Sequence, residues 1–129
     1  MKNFLIVVLI SISFFGCKKD AGGKPGLSNN VKYEWNSETT GVFTAAWSEE
    51  GNPPATAEFT GKTWSRSFTI NPGPKHLLFS IRATDFVIGG NGPIIGIIKI
   101  YVGGKLVQSR EVTLLPGNDS VILNYFKAE

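Results

Sequence analysis

Cys17 is the residue of this chain whose type and position together indicate a specific chemistry. It is the only cysteine in the sequence, so it has no partner for an internal disulfide and its thiol is available for modification. Gly16 stands directly before it, residues 4–15 carry no charge, and Lys2 gives the chain a basic start. A basic start, an apolar run of about 7–15 residues and a small residue at the cleavage point are the three parts of a secretory signal peptide. The pattern predicts that residues 1–16 are removed and that Cys17 becomes the first residue of the mature chain.

The stretch that ends at Gly16 and Cys17 resembles the signal of bacterial lipoproteins, although Phe14 and Phe15 stand where a leucine and a small residue are typical. The resemblance implies that Cys17 is acylated and that its lipid anchors the chain in a membrane. Lys18 follows the cysteine, which by the same resemblance favours the outer membrane over the inner one. Two alternatives fit less well, because a spanning helix needs about 20 apolar residues and a simple secreted protein would keep an exposed free thiol in an oxidising compartment.

Residue types that support catalysis or metal binding are sparse in the rest of the sequence. His76 is the only histidine and no serine stands in a nucleophile motif, so a Ser–His–acid triad is not indicated. One histidine and one cysteine cannot supply the three or four ligands of a zinc site, and the carboxylates lack calcium-binding spacing. The glycine-rich run 89–92 lacks the lysine of a phosphate-binding loop. We therefore predict a non-catalytic protein without a cofactor or a metal.

Aromatic and polar side chains leave ligand binding open. Trp35, Trp47 and Trp64 have the flat surfaces that stack on sugars, but each shares its phase with other apolar residues, which favours a place in the core. Carbohydrate binding is therefore the alternative function. Asn118-Asp119-Ser120 matches an N-glycosylation sequon, although these residues are also typical of a turn. Asp119-Ser120-Val121 resembles the Asp-Ser/Thr-aliphatic O-glycosylation signal of some envelope proteins, which makes Ser120 a candidate glycosylation site. With 13 basic and 10 acidic residues, the small positive excess does not indicate nucleic-acid binding.

The elements that must position these side chains are short β-strands. Residues 17–30 are typical of a flexible tether, and from Val31 onward apolar and polar residues alternate with a period of two. Further alternating runs are separated by Gly- and Pro-rich turns and lie at residues 43–47, 55–60, 63–70, 77–83, 94–102 and 121–125. Seven or eight short strands in roughly one hundred residues predict an all-β protein, a single Ig-like antiparallel β-sandwich over residues 31–129.

Gly103 and Gly104 predict a two-residue hairpin, because both central positions of a type I′ turn need positive φ. This turn would pair Ile100 with Val107 and Tyr101 with Leu106, with Ile98, Ile100 and Val107 facing the core. The side chains expected on the solvent face form our candidate partner-binding surface, since interfaces favour aromatic and cationic groups; they are Lys99, Tyr101, Gln108 and Arg110. The alternative is that these four residues only keep the sheet soluble.

The order of strand and turn residues resembles that of MmpS-like β-sandwich proteins, from Val31 and Tyr33 through Trp64 and Phe68 to the blocks 78–83 and 98–107. The match covers most of residues 31–112, but Gly103 stands where the family usually has Asp, and Thr63 where a Pro commonly precedes the Trp. The resemblance implies a small membrane-tethered domain that acts as an accessory to envelope transport or assembly, with an envelope protein as its partner. It carries over no catalytic residue.

Overall fold

The computed structural model describes residues 29–49, 53–86 and 92–128. Within them the chain forms six β-strands and no helix, namely β1 (Asn30–Trp47), β2 (Ala55–Thr69), β3 (Lys75–Asp85), β4 (Ile94–Val102), β5 (Lys105–Leu114) and β6 (Ser120–Lys127). No helix in these residues has the length and hydrophobicity that crossing a bilayer requires. The predicted signal peptide, Cys17 and the tether up to residue 28 lie outside the described residues, and Asn30 already opens β1.

β1 is the centre of a single antiparallel sheet, in which the strand order is β5-β4-β1-β3-β6 and β2 also pairs with β1. The first part of β1 pairs with β4, from Val31 opposite Val102 onward. Its last part pairs with β3, as far as Trp47 opposite Phe79. β2 accompanies β1 through both parts. The β1–β2 ribbon therefore bends across two halves of the molecule, and the sheet curls until β5 approaches β6, which makes it nearly a barrel.

The bend of the ribbon lies where the β1–β2 register is irregular, between Asn36 and Gly41. Gly41 is paired with Gly61, whose φ of +147° is a conformation that residues with a Cβ rarely adopt. A Cβ on Gly41 would come within 2.7 Å of the Phe43 ring. Both strands thus carry glycine at the bend, and the ribbon bends there while β1 and β2 stay paired on either side of it.

The core follows from the alternation in β1. Its buried hydrophobic side chains occupy alternate positions in each half of the strand and are Val31, Tyr33, Trp35, Phe43, Ala45 and Trp47. Trp35 is fully buried, and it fits against β4 because position 96 is glycine: a Cβ there would lie 2.3 Å from Cη2 of the indole. Aromatic rings join the two halves, with Tyr33 stacked on Phe79 at 5.0 Å between centroids. Burial of this apolar surface is the main term that stabilises the fold.

The all-β antiparallel class is confirmed, but within the described ranges the strands number six rather than seven or eight. Residues 31–35 and 43–47 are parts of the one strand β1, and residues 55–60 and 63–69 are parts of β2. The sequence shows glycine at 41 and 61 and so suggests strand ends there. Because the two glycines face each other across one ladder, they bend the ribbon instead of reversing the chain.

The β4–β5 hairpin is formed around Gly103 and Gly104, which have φ of +60° and +76° as a type I′ turn requires. The predicted pair of Tyr101 with Leu106 is confirmed. The predicted pair of Ile100 with Val107 is wrong, because the register shifts after Tyr101 and Ile100 lies opposite Gln108. Val107 is the extra residue of this bulge, and it is half-buried against the core as predicted.

Candidate binding surfaces

A groove lies on the outer face of the first half of the sheet, and we call it the Lys32 groove. Its volume is about 600 Å³, and its lining comes from β1, β2, β4 and the turn after β4 through Asn30, Val31, Lys32, Ser67, Phe68, Thr69, Tyr101 and Gly104. The register brings these residues together, because Lys32 is opposite Ser67 on one side and Tyr101 on the other. Ligand sites in proteins commonly have volumes of about 300–1,000 Å³.

Lys32 is held in place by a carboxylate. Its ammonium nitrogen lies 2.5 Å from Oε2 of Glu34 and 5.5 Å from the centre of the Tyr101 ring. The other oxygen of Glu34, Oε1, accepts hydrogen bonds from Asn36 at 2.9 Å and from Lys99 at 3.3 Å. The hydrogen bond from Lys32 is the largest cause that lowers the pKa of Glu34, and the same bond raises the pKa of Lys32. Both groups are therefore charged at neutral pH, and two lysines share one carboxylate.

A second surface lies on the outer face of β3 and β6, and we call it the β6 apolar face. Ile122 and Phe126 are 52% and 53% exposed, whereas the neighbouring residues Val121 and Leu123 point into the core. Phe126 contacts the ring of His76, with 4.7 Å between centroids. Leu78 of β3 is half-buried and lies diagonally between them, because its register partner is Asn124. Among the described strands, β6 pairs only with β3, so this surface lies beside a strand edge.

The four residues predicted to form a partner-binding face do not share one. Gln108 lies opposite Ile100, and Arg110 opposite Ile98, so both side chains belong to the core-facing phase of β5. Both side chains are nevertheless exposed. Lys99 and Tyr101 remain on the outer face of β4, beside Glu34 and Lys32. The bulge at Val107 is the cause, because one extra residue moves all later side chains to the other face.

The interpretation of the tryptophans as core residues is confirmed. Trp35 and Trp47 are 0% and 6% exposed, so neither presents a free ring face to a sugar. Trp64 is half-buried and packed against the core, where it contacts Trp47 at 5.1 Å and Phe79 at 5.4 Å between ring centres. Trp47 also donates its indole N–H to Oε1 of Glu49 at 2.8 Å. If the protein binds carbohydrate, these rings are not the platform.

His76 points outward, as predicted from its position next to the core residue Leu77 in the same strand, and its ring contacts that of Phe126. No cluster of three His, Cys, Asp or Glu residues that could hold a metal occurs within the described ranges. Ser120 is exposed at the start of β6 and follows Asp119, whose Oδ2 accepts a hydrogen bond from Arg82 at 3.1 Å. Its glycosylation stays a prediction, as does acylation of Cys17, which lies outside the described residues.

Both surfaces were missed from the sequence, for different reasons. The Lys32 groove joins residues of four segments that are far apart in the chain, and no local pattern reveals such a meeting. The β6 apolar face did leave a signal, because residues 121–126 are apolar in both phases of the strand instead of one. A strand that is apolar on both faces indicates a second buried surface, and here the outer face is exposed.

Comparison with known proteins does not assign this chain to a family. No family model, no curated protein and no solved structure matches this chain, so the likeness to lipoprotein signals and to MmpS-like domains rests on the residues alone.

Proposed function

We propose that this protein is an extracytoplasmic lipoprotein, anchored through Cys17 in the outer membrane, whose β-domain is a non-catalytic interaction module of an envelope transport or assembly system. The domain would bind another envelope protein by surface contact. His76, the only histidine of the chain, is exposed and packs its ring against Phe126, an arrangement that fits a contact surface and supports a binding role.

We also propose that the fold is an Ig-like sandwich. The support is the bend of the β1–β2 ribbon: β1 pairs with β4 in its first half and with β3 in its second, while β2 follows it through both. Counting the halves of β1 and β2 separately gives the number of strands expected from the sequence. Tyr33 and Trp64 then act as inter-sheet contacts, since both reach Phe79 of the other half.

The observation that carries the interaction role is the β6 apolar face. Two large apolar side chains, Ile122 and Phe126, are each more than half exposed on one strand, and Leu78 and His76 adjoin them. Contiguous exposed apolar residues on a small domain mark sites of contact with other molecules. β6 pairs with β3 alone among the strands that the structure describes, so its other edge lies next to these residues and offers backbone groups that a partner strand can complete.

A photo-crosslinking experiment tests this role in cells. A photoreactive residue replaces Asn124, which lies between Ile122 and Phe126 on the same face. We expect one discrete adduct with an envelope protein, and we expect its loss in the double variant Ile122→Ser, Phe126→Ser. Leu106→Ser is the matched control, because Leu106 is 50% exposed but lies on β5. All three substitutions are at exposed positions, so stability should change by only about 0.5 kcal/mol.

The proposal fails if no adduct forms at position 124, or if the adduct persists in the double variant at the yield of the control. The outer face of β4 around Lys99 and Tyr101 would then be the surface to probe next.

A further inference from the structure

The Lys32 groove combines three kinds of groups that recur in sugar-binding sites. Hydroxyls of Ser67 and Thr69 line one wall, with Asn30 beside them, and Oγ1 of Thr69 donates to Oδ1 of Asn30 at 3.1 Å. The half-buried ring of Tyr101 lines the opposite wall. Such a lining offers hydrogen bonds to ring hydroxyls and an apolar surface to the C–H face of a sugar.

The groove is also positively charged. Lys32 lines it, and Lys32 and Lys99 together outnumber the carboxylate of Glu34, which both contact on the same outer face. The exposed Lys105 directly follows Gly104, which lines the groove. The contact with Glu34 fixes the ammonium of Lys32 beside the Tyr101 ring, so little side-chain freedom is lost when a ligand binds. A fixed cation next to an aromatic ring favours a ligand that carries both an anionic group and an apolar face.

We propose that the Lys32 groove binds an acidic saccharide, one that carries a carboxylate on a sugar ring. The carboxylate pairs with Lys32, the ring lies against Tyr101, and its hydroxyls bond to Ser67 and Thr69. The volume of about 600 Å³ accommodates one or two sugar rings. This site is on the outer face of β1, β2 and β4 and does not involve the β6 apolar face, so it stands whether or not a protein partner binds there.

The same chemistry occurs in a free saccharide and in the headgroup of a glycolipid, and two experimental arms separate them. The full-length chain in detergent micelles is titrated with digalacturonic acid, and with its neutral counterpart galactobiose, while backbone amide signals are followed by NMR. In the second arm the micelles contain glucuronosyl diacylglycerol, or glucosyl diacylglycerol as the neutral control. We expect the acidic probe, and not the neutral one, to shift the amide signals of Lys32, Ser67, Thr69 and Gly104.

Three variants locate the effect. Lys32→Ala removes the ammonium and leaves the charge of Glu34 beside the groove, so affinity for the acidic probe should fall about tenfold or more, as for the loss of one charge-assisted hydrogen bond. Ser67→Ala removes one hydroxyl without touching any charged group and should weaken binding less. Lys62→Ala is the control, because Lys62 is an exposed lysine of β2 that does not line the groove.

Response to the free acidic saccharide alone assigns the ligand to a free sugar, and response to the acidic lipid alone assigns it to a headgroup; both support the site. The proposal is overturned if the neutral probes shift the same signals equally, if no acidic probe shifts them, or if Lys32→Ala binds as tightly as Lys62→Ala. Unchanged signals from β3 and β6 show that each variant is folded.

Discussion

Tyr33 is a buried polar residue whose ionisation links the stability of the fold to pH. Its side chain is fully buried, stacked on Phe79 and tilted against Phe68 at 5.2 Å. Its hydroxyl donates a hydrogen bond to the carbonyl oxygen of Ser48 at 3.3 Å. Burial raises the pKa of Tyr33 to about 12 from a usual value of 10.0, because the phenolate would have to form away from water.

We predict that this residue makes the fold sensitive to alkali. The folded state keeps the Tyr33 proton at a pH where the unfolded chain loses it. The contribution of Tyr33 to the free energy of unfolding is therefore fully present below pH 10 and is lost as the pH rises to about 12. Two pKa units correspond to about 2–3 kcal/mol. Urea unfolding between pH 9 and pH 12 should show a free energy of unfolding that falls with pH in the wild type. The fall should be smaller in Tyr33→Phe.

Tyr101→Phe serves as the control for that series, because it keeps Tyr33. If Tyr33→Phe and Tyr101→Phe lose stability with the same pH dependence, ionisation of Tyr33 is not the cause.

Residues of one strand were the easiest to predict. The alternation of Val31, Tyr33 and Trp35 with polar residues predicted which side chains are buried, since one strand faces core and solvent in turn. The contacts of Glu34 were not predictable, because Lys99 is brought to it only by the pairing of β1 with β4. Sequence thus predicted the face of a residue well and its partner poorly.

The β4–β5 hairpin shows the same limit for an element. Its turn and closing pair followed from Gly103 and Gly104, whereas the bulge at Val107 has no local signature, as Val fits either phase of a strand. The bulge determines which side chains of the hairpin share a face, because it moves Gln108 and Arg110 away from the face of Tyr101. Predicting a surface that is made of two paired strands therefore requires the register of their pairing, which the sequence pattern alone does not determine.

Substitutions in this hairpin test the observed phase. Ile100→Asp places a carboxylate among fully buried apolar residues and should cost several kcal/mol of the roughly 5–15 kcal/mol that a domain has. Ser109→Asp, at an exposed position opposite Lys99, should be nearly neutral. Lys99→Asp should cost about 1 kcal/mol, because it removes the ion pair with Glu34 and leaves two carboxylates adjacent.

Chemical denaturation of the three variants gives the comparison. Equal midpoints for Ile100→Asp and Ser109→Asp would contradict the phase of β4, and a neutral Lys99→Asp would show that the Lys99–Glu34 contact does not form in solution.

On the scale of the whole molecule, the chain enters the domain beside the Lys32 groove. The amide of Ile70 donates to the carbonyl of Asn29 at 2.9 Å, and the amide of Gly103 donates to that of Asn30 at 2.8 Å. The start of β1, the end of β2 and the β4–β5 turn therefore meet at one end. Residues 18–28 separate Asn29 from Cys17 and reach at most roughly 40 Å. With a lipid on Cys17, the groove would be held within that distance of the bilayer.

The anchor itself is tested with Cys17→Ala. If Cys17 is acylated, the wild type should incorporate a fatty-acid probe and partition into detergent, because acyl chains bind the bilayer in proportion to their buried CH₂ groups. The variant should accumulate at the size of the precursor without label. Equal labelling of the two chains would refute the lipoprotein assignment, and it would leave the NMR test of the groove unaffected.

The bent β1–β2 ribbon also has a consequence for how the chain folds. The inner edge of β1 is completed by β4 in one half and by β3 in the other, so neither ladder closes until segments from distant parts of the chain have met. Such non-local pairing makes folding slow, because chain entropy is lost before the contacts form. A nascent chain that ends before β4 leaves the first half of β1 with an open edge. The two halves share their central strand, and they should therefore unfold in one step, with the amides of Tyr33 and Ala45 exchanging together.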